Sequence, residues 1–182
     1  GSWNFTNNQS ITGQISQSLN NFSFSEWVKI KTNKPGEFQT ISVIGNLSGL
    51  RTTSFIGITG YPNCQITDDT YPAQNAISLS ALSVETWYNI ACVYNGSKLL
   101  IYIDGDLKRS SSIGWPIYSL INNNYLFGNG SIYDMGNLET VSANFSGQID
   151  EFRVWNRTLS ASEITEQYFS NLQKFNETQW YL

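Results

Sequence analysis

The hydrophobic and polar positions of the chain fall mostly into short runs separated by turn residues, a pattern typical of a β-sandwich or barrel. Residues 22–31 largely alternate, with Phe22 and Phe24 on one face, Glu26 as a further candidate for that face, and Trp27 opposite. Residues 40–44 and 54–58 are β-branched runs joined by a polar, glycine-containing segment. The pattern therefore predicts an all-β fold.

The clearest hairpin runs from Trp87 to Leu107. Asn95 and Gly96 supply its turn, because both residues tolerate positive φ, and residues 99–103 return as the second strand. One face of the first strand is made of every second residue: Tyr88, Ile90, Cys92 and Tyr94.

The second half of the chain is predicted to contain two loops, a last strand and a helix. Residues 113–124 and the long, polar stretch 128–144 are the loops, with a short strand at residues 125–127 between them, and residues 145–155 are the last strand. Ser160 fits a helix N-cap with Glu163 three residues later, which is a capping box. The apolar positions Ile164, Tyr168 and Leu172 then predict one short C-terminal helix from about Ser160 to Leu172.

Length and charge narrow the class of protein. The 182 residues fit a single domain over 1–182. The chain has 10 Lys and Arg against 14 Asp and Glu, for a net charge of −4, and no concentrated basic patch, so nucleic acid is not the expected partner. No apolar run approaches the length of a membrane span, so we expect no membrane insertion.

Glycosylation signals and cysteines favour an extracellular or cell-surface glycoprotein. Cys64 and Cys92 are an even count, which favours one disulfide, with two unpaired thiols as the alternative. Nine Asn-X-Ser/Thr sequons are present, at Asn4, Asn8, Asn21, Asn46, Asn95, Asn129, Asn144, Asn156 and Asn176.

Three blocks of sequence resemble the laminin-G-like, concanavalin A-like lectin jelly rolls of the pentraxin-related superfamily. Residues 3–11 with 22–29 resemble the opening strands of that family. Residues 85–96 followed by 100–105 resemble its W-x-H-V-A-x-x-Y-D-G…L-Y-V-N-G hairpin, with Asn89 where the family usually has His. Residues 145–160 resemble its F-x-G-x-I-D-E-V-R-I-Y-N-R-A-L-S block. The resemblance implies a two-sheet antiparallel β-sandwich (jelly roll) with one short C-terminal helix, and a binding function whose ligand it does not identify.

The residues argue against an enzyme. The family's glucanases place three acids along one strand, as E-x-D-x-x-E or E-x-D-x-E. Here Gln148 stands at the first acidic position and Phe152 at the nearest last one. Asp150 and Glu151 are adjacent, so on a regular strand they would face opposite sides and could not form the carboxylate pair of a glycosidase. The chain has no His, which removes His-dependent triads.

A calcium ion is a further expectation from the resemblance. Asp134 and Glu139 lie in a stretch similar to the pentraxin calcium loop, and Asp150 is a third candidate ligand for one Ca²⁺ ion. Hard cations require six to eight oxygen ligands. A solvated acidic loop is the alternative.

Two loops combine aromatic rings with polar groups, as sugar recognition requires. We therefore expect a non-catalytic, lectin-like, carbohydrate-binding module of an adhesion or attachment protein, whose partner is a glycan on a cell surface or matrix. The alternatives are a module that binds a surface protein and a structural cell-coat module without a sugar ligand. The candidate ligand-binding residues are Tyr61, Asp68, Asp69 and Tyr71 in one loop region, and Trp115, Tyr118, Asn123 and Tyr125 in the other.

Overall fold

The structure is a computed structural model that describes residues 2–6, 9–16, 18–32, 37–45, 51–56, 60–67, 71–115, 123–134 and 139–172. Side chains are described over the same ranges except at 51, 53–56, 123, 129–142 and 171–172. The strands are β1 (Trp3–Phe5), β2 (Ile11–Ile15), β3 (Phe22–Ile30), β4 (Gln39–Gly45), β5 (Arg51–Ile56), β6 (Pro62–Thr67), β7 (Gln74–Ile77), β8 (Trp87–Tyr94), β9 (Lys98–Ile103), β10 (Asp106–Ser112), β11 (Asn123–Phe127), β12 (Asn129–Asp134), β13 (Glu139–Asn144) and β14 (Gly147–Trp155), and the helix is α1 (Ala161–Leu172).

Two antiparallel six-stranded sheets form the sandwich, as expected for a jelly roll. Sheet one has the order β1-β14-β3-β8-β9-β10, and sheet two has the order β2-β11-β4-β5-β6-β7. Strands β12 and β13 form a separate two-stranded ribbon that packs against β4 of sheet two. Residues 129–134 and 139–144 are therefore paired strands, and the prediction of a loop is wrong for them. Their polar, glycine-containing sequence gives little strand signal, and the structure here comes from cross-strand pairing.

Period-two alternation builds the core from the inward faces of both sheets. On β3, Phe22, Phe24, Val28 and Ile30 are buried in the main cluster. Glu26 takes the same inward position and is fully buried, and its carboxylate accepts a hydrogen bond from the Ser42 hydroxyl at 3.0 Å. The alternation of inward and outward side chains along β3 therefore continues through Glu26, which places a carboxylate in the core.

Cys64 and Cys92 form a disulfide with a Cα–Cα separation of 5.9 Å. Cys64 lies on β6 and Cys92 on β8, so the bond joins sheet two to sheet one through the core. Both residues are fully buried. The disulfide that the even cysteine count favoured is therefore present, and it joins the two sheets covalently.

Helix α1 begins with the capping box expected from the sequence. The backbone N–H of Ser160 donates to the Glu163 carboxylate at 2.8 Å, and the N–H of Glu163 donates to the Ser160 hydroxyl at 3.3 Å. The Arg157 guanidinium, bonded to the same carboxylate, and the Ser160 groups hold the pKa of Glu163 at about 2. The helix packs on the outer face of sheet one, where Ile164 is buried and Tyr168 stacks on Trp27 at 5.7 Å.

Candidate functional site

Trp115 and Tyr71, two of the predicted sugar-stacking residues, pack against each other. Their ring centroids are 5.0 Å apart and nearly parallel, at 9°. The indole N–H of Trp115 donates to the carbonyl oxygen of Pro72 at 3.1 Å, and only 9% of Trp115 is exposed. The structure therefore gives Trp115 a packing role in the main core, not the exposed position that the sequence suggested.

The remaining predicted ligand-binding residues that the structure describes do not form one platform. Tyr61 immediately precedes β6 and Tyr71 follows its far end, so a six-residue strand, about 20 Å long, separates them. Tyr125 lies within β11, which includes the short strand expected at residues 125–127, and its half-buried ring packs on Phe127 at a centroid distance of 5.3 Å. Asn123 begins β11 opposite Ile15. Asp68, Asp69 and Tyr118 lie outside the described residues.

The three candidate calcium ligands are divided between the two sides of the sandwich. Asp134 and Glu139 are register partners at the end of the β12–β13 hairpin, which packs on sheet two. Asp150 belongs to sheet one, opposite Trp27, and its carboxylate accepts the backbone N–H of Glu151 at 2.8 Å. The side chains of Asp134 and Glu139 lie outside those that the structure describes, so a shared calcium site of the three acids stays a prediction. Among the side chains that the structure describes, no group of three potential metal ligands occurs.

The neighbouring acid, Glu151, sits at a bulge that the sequence analysis did not foresee. The register of β14 shifts between Asp150 and Arg153, and Glu151 has a φ of 51°. Its carboxylate bonds the Arg153 guanidinium at 2.6 Å, and Arg153 also bonds Gln167 of the helix at 2.5 Å. Asp150 and Glu151 therefore both serve the helix-covered side of sheet one, and the expectation that they face opposite sides is wrong. Glu151 is bound in an ion-pair network rather than exposed for catalysis.

A row of four outward side chains crosses sheet one at the end that the helix leaves open. Asn4 pairs in register with Gln148, Gln148 with Lys29, and Lys29 with Trp87. The next residue of β3, Val28, points into the core, so the row faces outward. An amide, a second amide, an ammonium group and an indole thus lie side by side on four adjacent strands.

Three residues of this row, Asn4, Lys29 and Gln148, line a polar groove of about 180 Å³, hereafter the sheet-one groove, together with Lys31, Glu85 and Gly147. Trp87, the fourth residue of the row, lies beside the groove, next to Lys29. Gly147 forms part of the wall of the groove. A Cβ at this position would overlap the carbonyl oxygen of Lys29, so the close approach of the two strands requires glycine. The volume is below the ~300–1,000 Å³ of pockets for drug-sized ligands. The groove therefore accommodates a small polar unit such as a single sugar ring.

Lys29 is held in place at the centre of the groove. Its ammonium nitrogen lies 3.4 Å from the Glu85 carboxylate and 5.9 Å from the centre of the Trp87 ring. Glu85 has a φ of 57°, a left-handed conformation that is uncommon for residues other than glycine, and its N–H donates to the carbonyl oxygen of Ile30 at 2.8 Å. A strained residue therefore carries the carboxylate that faces Lys29.

The sequence analysis missed this groove because its residues come from four segments that only the register brings together. The signal in the sequence is weak: Lys29 is polar within a buried strand, and Gln148 replaces the acid of the glucanase motif. Neither signal indicates which residues of the neighbouring strands lie beside Lys29 or Gln148. Strand pairing at long sequence separation supplies that information.

The family model described as the concanavalin A-like lectin/glucanases superfamily, a laminin G model, matches residues 5–165. The chain belongs to this superfamily. No curated protein matches the sequence significantly.

Solved structures share the fold at low sequence identity. A SAP-like pentraxin from Limulus polyphemus superposes with a TM-score of 0.66 at 13% identity, covering 90% of this chain and 78% of the pentraxin. The binding domain of botulinum neurotoxin serotype D gives 0.71 at 19% identity, with 93% of this chain and 42% of that domain covered. Domain 4 of an extracellular arabinanase from Geobacillus stearothermophilus, solved with arabinotriose, gives 0.60 at 19% identity, with 82% and 66% covered. The chain thus spans less than half of the neurotoxin domain, and these likenesses define the fold alone.

The helix of the described residues, α1, is too short and too polar to cross a membrane.

Proposed function

We propose that the chain is a non-catalytic, lectin-like module of an extracellular or cell-surface adhesion or attachment protein, and that it binds a glycan in the sheet-one groove. The observation that carries the proposal is the cross-strand row of Asn4, Gln148, Lys29 and Trp87. Amide groups donate to and accept from sugar hydroxyls, and an indole offers an apolar face to the C–H groups of a sugar ring. The rigid sheet fixes the spacing of these groups before a ligand arrives.

Other observations agree with a binding role. The amide side chains of Asn4 and Gln148 make no hydrogen bond with the described part of the chain, so both can bond a ligand. The arabinanase domain was solved with an arabinose oligosaccharide and the neurotoxin domain is named as a binding domain, and both share this fold. The disulfide and the sequons favour an extracellular setting.

Calcium binding at Asp134 and Glu139 stays a prediction. Two carboxylates at a hairpin end could contribute oxygen ligands, with backbone carbonyls and water completing the shell. Asp150, the third predicted ligand, lies on sheet one opposite Trp27.

A glycan array tests the proposal, with the unmodified chain compared with Gln148→Ala and Trp87→Ala. We expect the chain to bind a subset of glycans, and both variants to lose most of that signal. Lys108→Gln on β10, at the far edge of sheet one, is the matched control and should bind as the unmodified chain does. Melting curves identify any variant that fails to fold.

The array also separates the alternatives. Glycan binding that survives both substitutions in folded protein would place the ligand elsewhere and contradict the proposed site. Absence of binding to every glycan would favour the protein-binding or cell-coat alternatives.

A further inference from the structure

We infer that the sheet-one groove selects an acidic sugar, one that carries a carboxylate or a sulfate group, and that Glu85 occupies the anion position until the ligand displaces it. The inference rests on the proposed function and specifies its ligand. It is carried by the placement of three charged groups within one small polar groove.

The groove is locally positive in an acidic chain. Its lining contains two ammonium groups, Lys29 and Lys31, and one carboxylate, Glu85, which sum to +2 − 1 = +1. The whole chain carries −4. Because charges separated by more than about 10 Å are largely screened at physiological salt, the local charges dominate what a ligand experiences here.

The ion pair between Lys29 and Glu85 is suited to exchange. Its atoms are 3.4 Å apart, and the Glu85 side chain is 59% exposed, whereas that of Lys29 is 26% exposed. Exposed pairs of this kind contribute little to stability. Lys29 is also held beside the Trp87 ring, so Glu85 is the partner that can move away.

When the ion pair between Lys29 and Glu85 breaks, the ammonium group of Lys29 becomes available to a ligand, and the ammonium group of Lys31 lines the same groove. A sugar carboxylate or sulfate could then take the place of the Glu85 carboxylate against Lys29, with Lys31 nearby. Lysine binds anions as a point charge, so it accepts both kinds of group. The amides of Asn4 and Gln148 would bond the hydroxyls of the same ring, and the volume of about 180 Å³ limits the buried part to a small unit.

The inference is tested by isothermal titration calorimetry with matched pairs of sugars. One pair is a disaccharide ending in a hexuronic acid and its neutral hexose counterpart, and the other is a sulfated hexose and its unsulfated form. We expect each acidic sugar to bind about two- to fivefold more tightly than its neutral counterpart, the range that corresponds to one exposed charge contact. This preference should shrink when sodium chloride is raised from about 50 to about 500 mM, because salt screens the contact. Which pair shows the larger preference distinguishes a carboxylate ligand from a sulfate ligand.

Three variants test whether the charges of the groove, rather than its shape, determine the preference for acidic sugars. Glu85→Gln removes the competing carboxylate and should tighten binding of the acidic sugar about fivefold without changing that of the neutral one. Lys31→Gln should reduce the acidic preference, and Lys108→Gln, on a distant strand, is the control for net charge. The protein is produced in bacteria, because a glycan on the sequon at Asn4 would cover the groove.

Equal affinity for acidic and neutral sugars would overturn the inference and leave the proposed function intact. Equal tightening of both by Glu85→Gln would also overturn it, since Glu85 would then act by shape alone. Absence of binding to any array glycan would instead refute the proposed function itself.

Discussion

Replacing Trp115 tests whether the aromatic residues at the end of the sandwich are core or ligand-binding residues. Burial of all but 9% of this side chain places it among the large residues whose truncation costs about 3–5 kcal/mol. That range includes loss of the stack on Tyr71, which contributes about 0.5–1.5 kcal/mol, and of the hydrogen bond to Pro72, which contributes about 1 kcal/mol. We therefore expect Trp115→Ala to lower the free energy of unfolding by about 3–4 kcal/mol.

Urea denaturation followed by circular dichroism measures this loss, provided that the slope of the transition is unchanged. Trp115→Phe keeps a ring against Tyr71 but loses the bond to Pro72, so it should cost only about 1–2 kcal/mol. Trp3→Ala is a matched control, because 43% of Trp3 is exposed and its removal should cost much less. A loss below about 1 kcal/mol for Trp115→Ala would refute the packing role and restore the aromatic loops as a candidate sugar platform.

Three further predictions concern stability. The pKa of Glu163 in the folded protein is about 2, below its ordinary value of 4.5, so its ionised carboxylate stabilises the fold above pH 4.5 and this stabilisation is lost as the pH falls towards 2. Glu163→Gln should therefore flatten the dependence of the melting temperature on pH between about 4.5 and 2. Replacing Cys64 and Cys92 together by Ala should cost about 3–4 kcal/mol in urea denaturation, and addition of a reductant should then have no further effect. Gly147→Ala should cost about 1–3 kcal/mol because its Cβ would overlap a neighbouring carbonyl, whereas Gly114→Ala, with open space around it, should cost almost nothing; equal effects of the two would contradict the close approach.

The elements with strong local signals could be predicted from the sequence. The hairpin of Trp87 to Leu107 corresponds to β8, β9 and the start of β10, and the capping box at Ser160 begins α1. Strands β6, β7, β12 and β13 were not predicted, because they are polar and contain few β-branched residues. Their pairing with distant strands gives them their structure, and such pairing leaves no local pattern.

For the candidate site, too, long-range strand pairing decided what the sequence could not predict. The polar, aromatic loops suggested a ligand platform, but Trp115 proved to be buried where the sandwich closes. The expectation for Glu151 failed because one bulge on β14 breaks the alternation on which it depended. Asn4, Gln148 and Lys29 become neighbours only through the register of three strands that are far apart in sequence. Residue types can indicate chemistry, but the register determines which of them act together.

The central claim is that a sugar binds in the sheet-one groove, and nuclear magnetic resonance titration tests it most directly. With a sugar found on the array, the side-chain amide signals of Asn4 and Gln148 and the indole N–H signal of Trp87 should shift together and saturate with a single dissociation constant. The indole signal of Trp115 should stay unchanged, because that ring is buried in the core. Saturable shifts confined to other residues, with the signals of Asn4, Gln148 and Trp87 unmoved, would contradict the account.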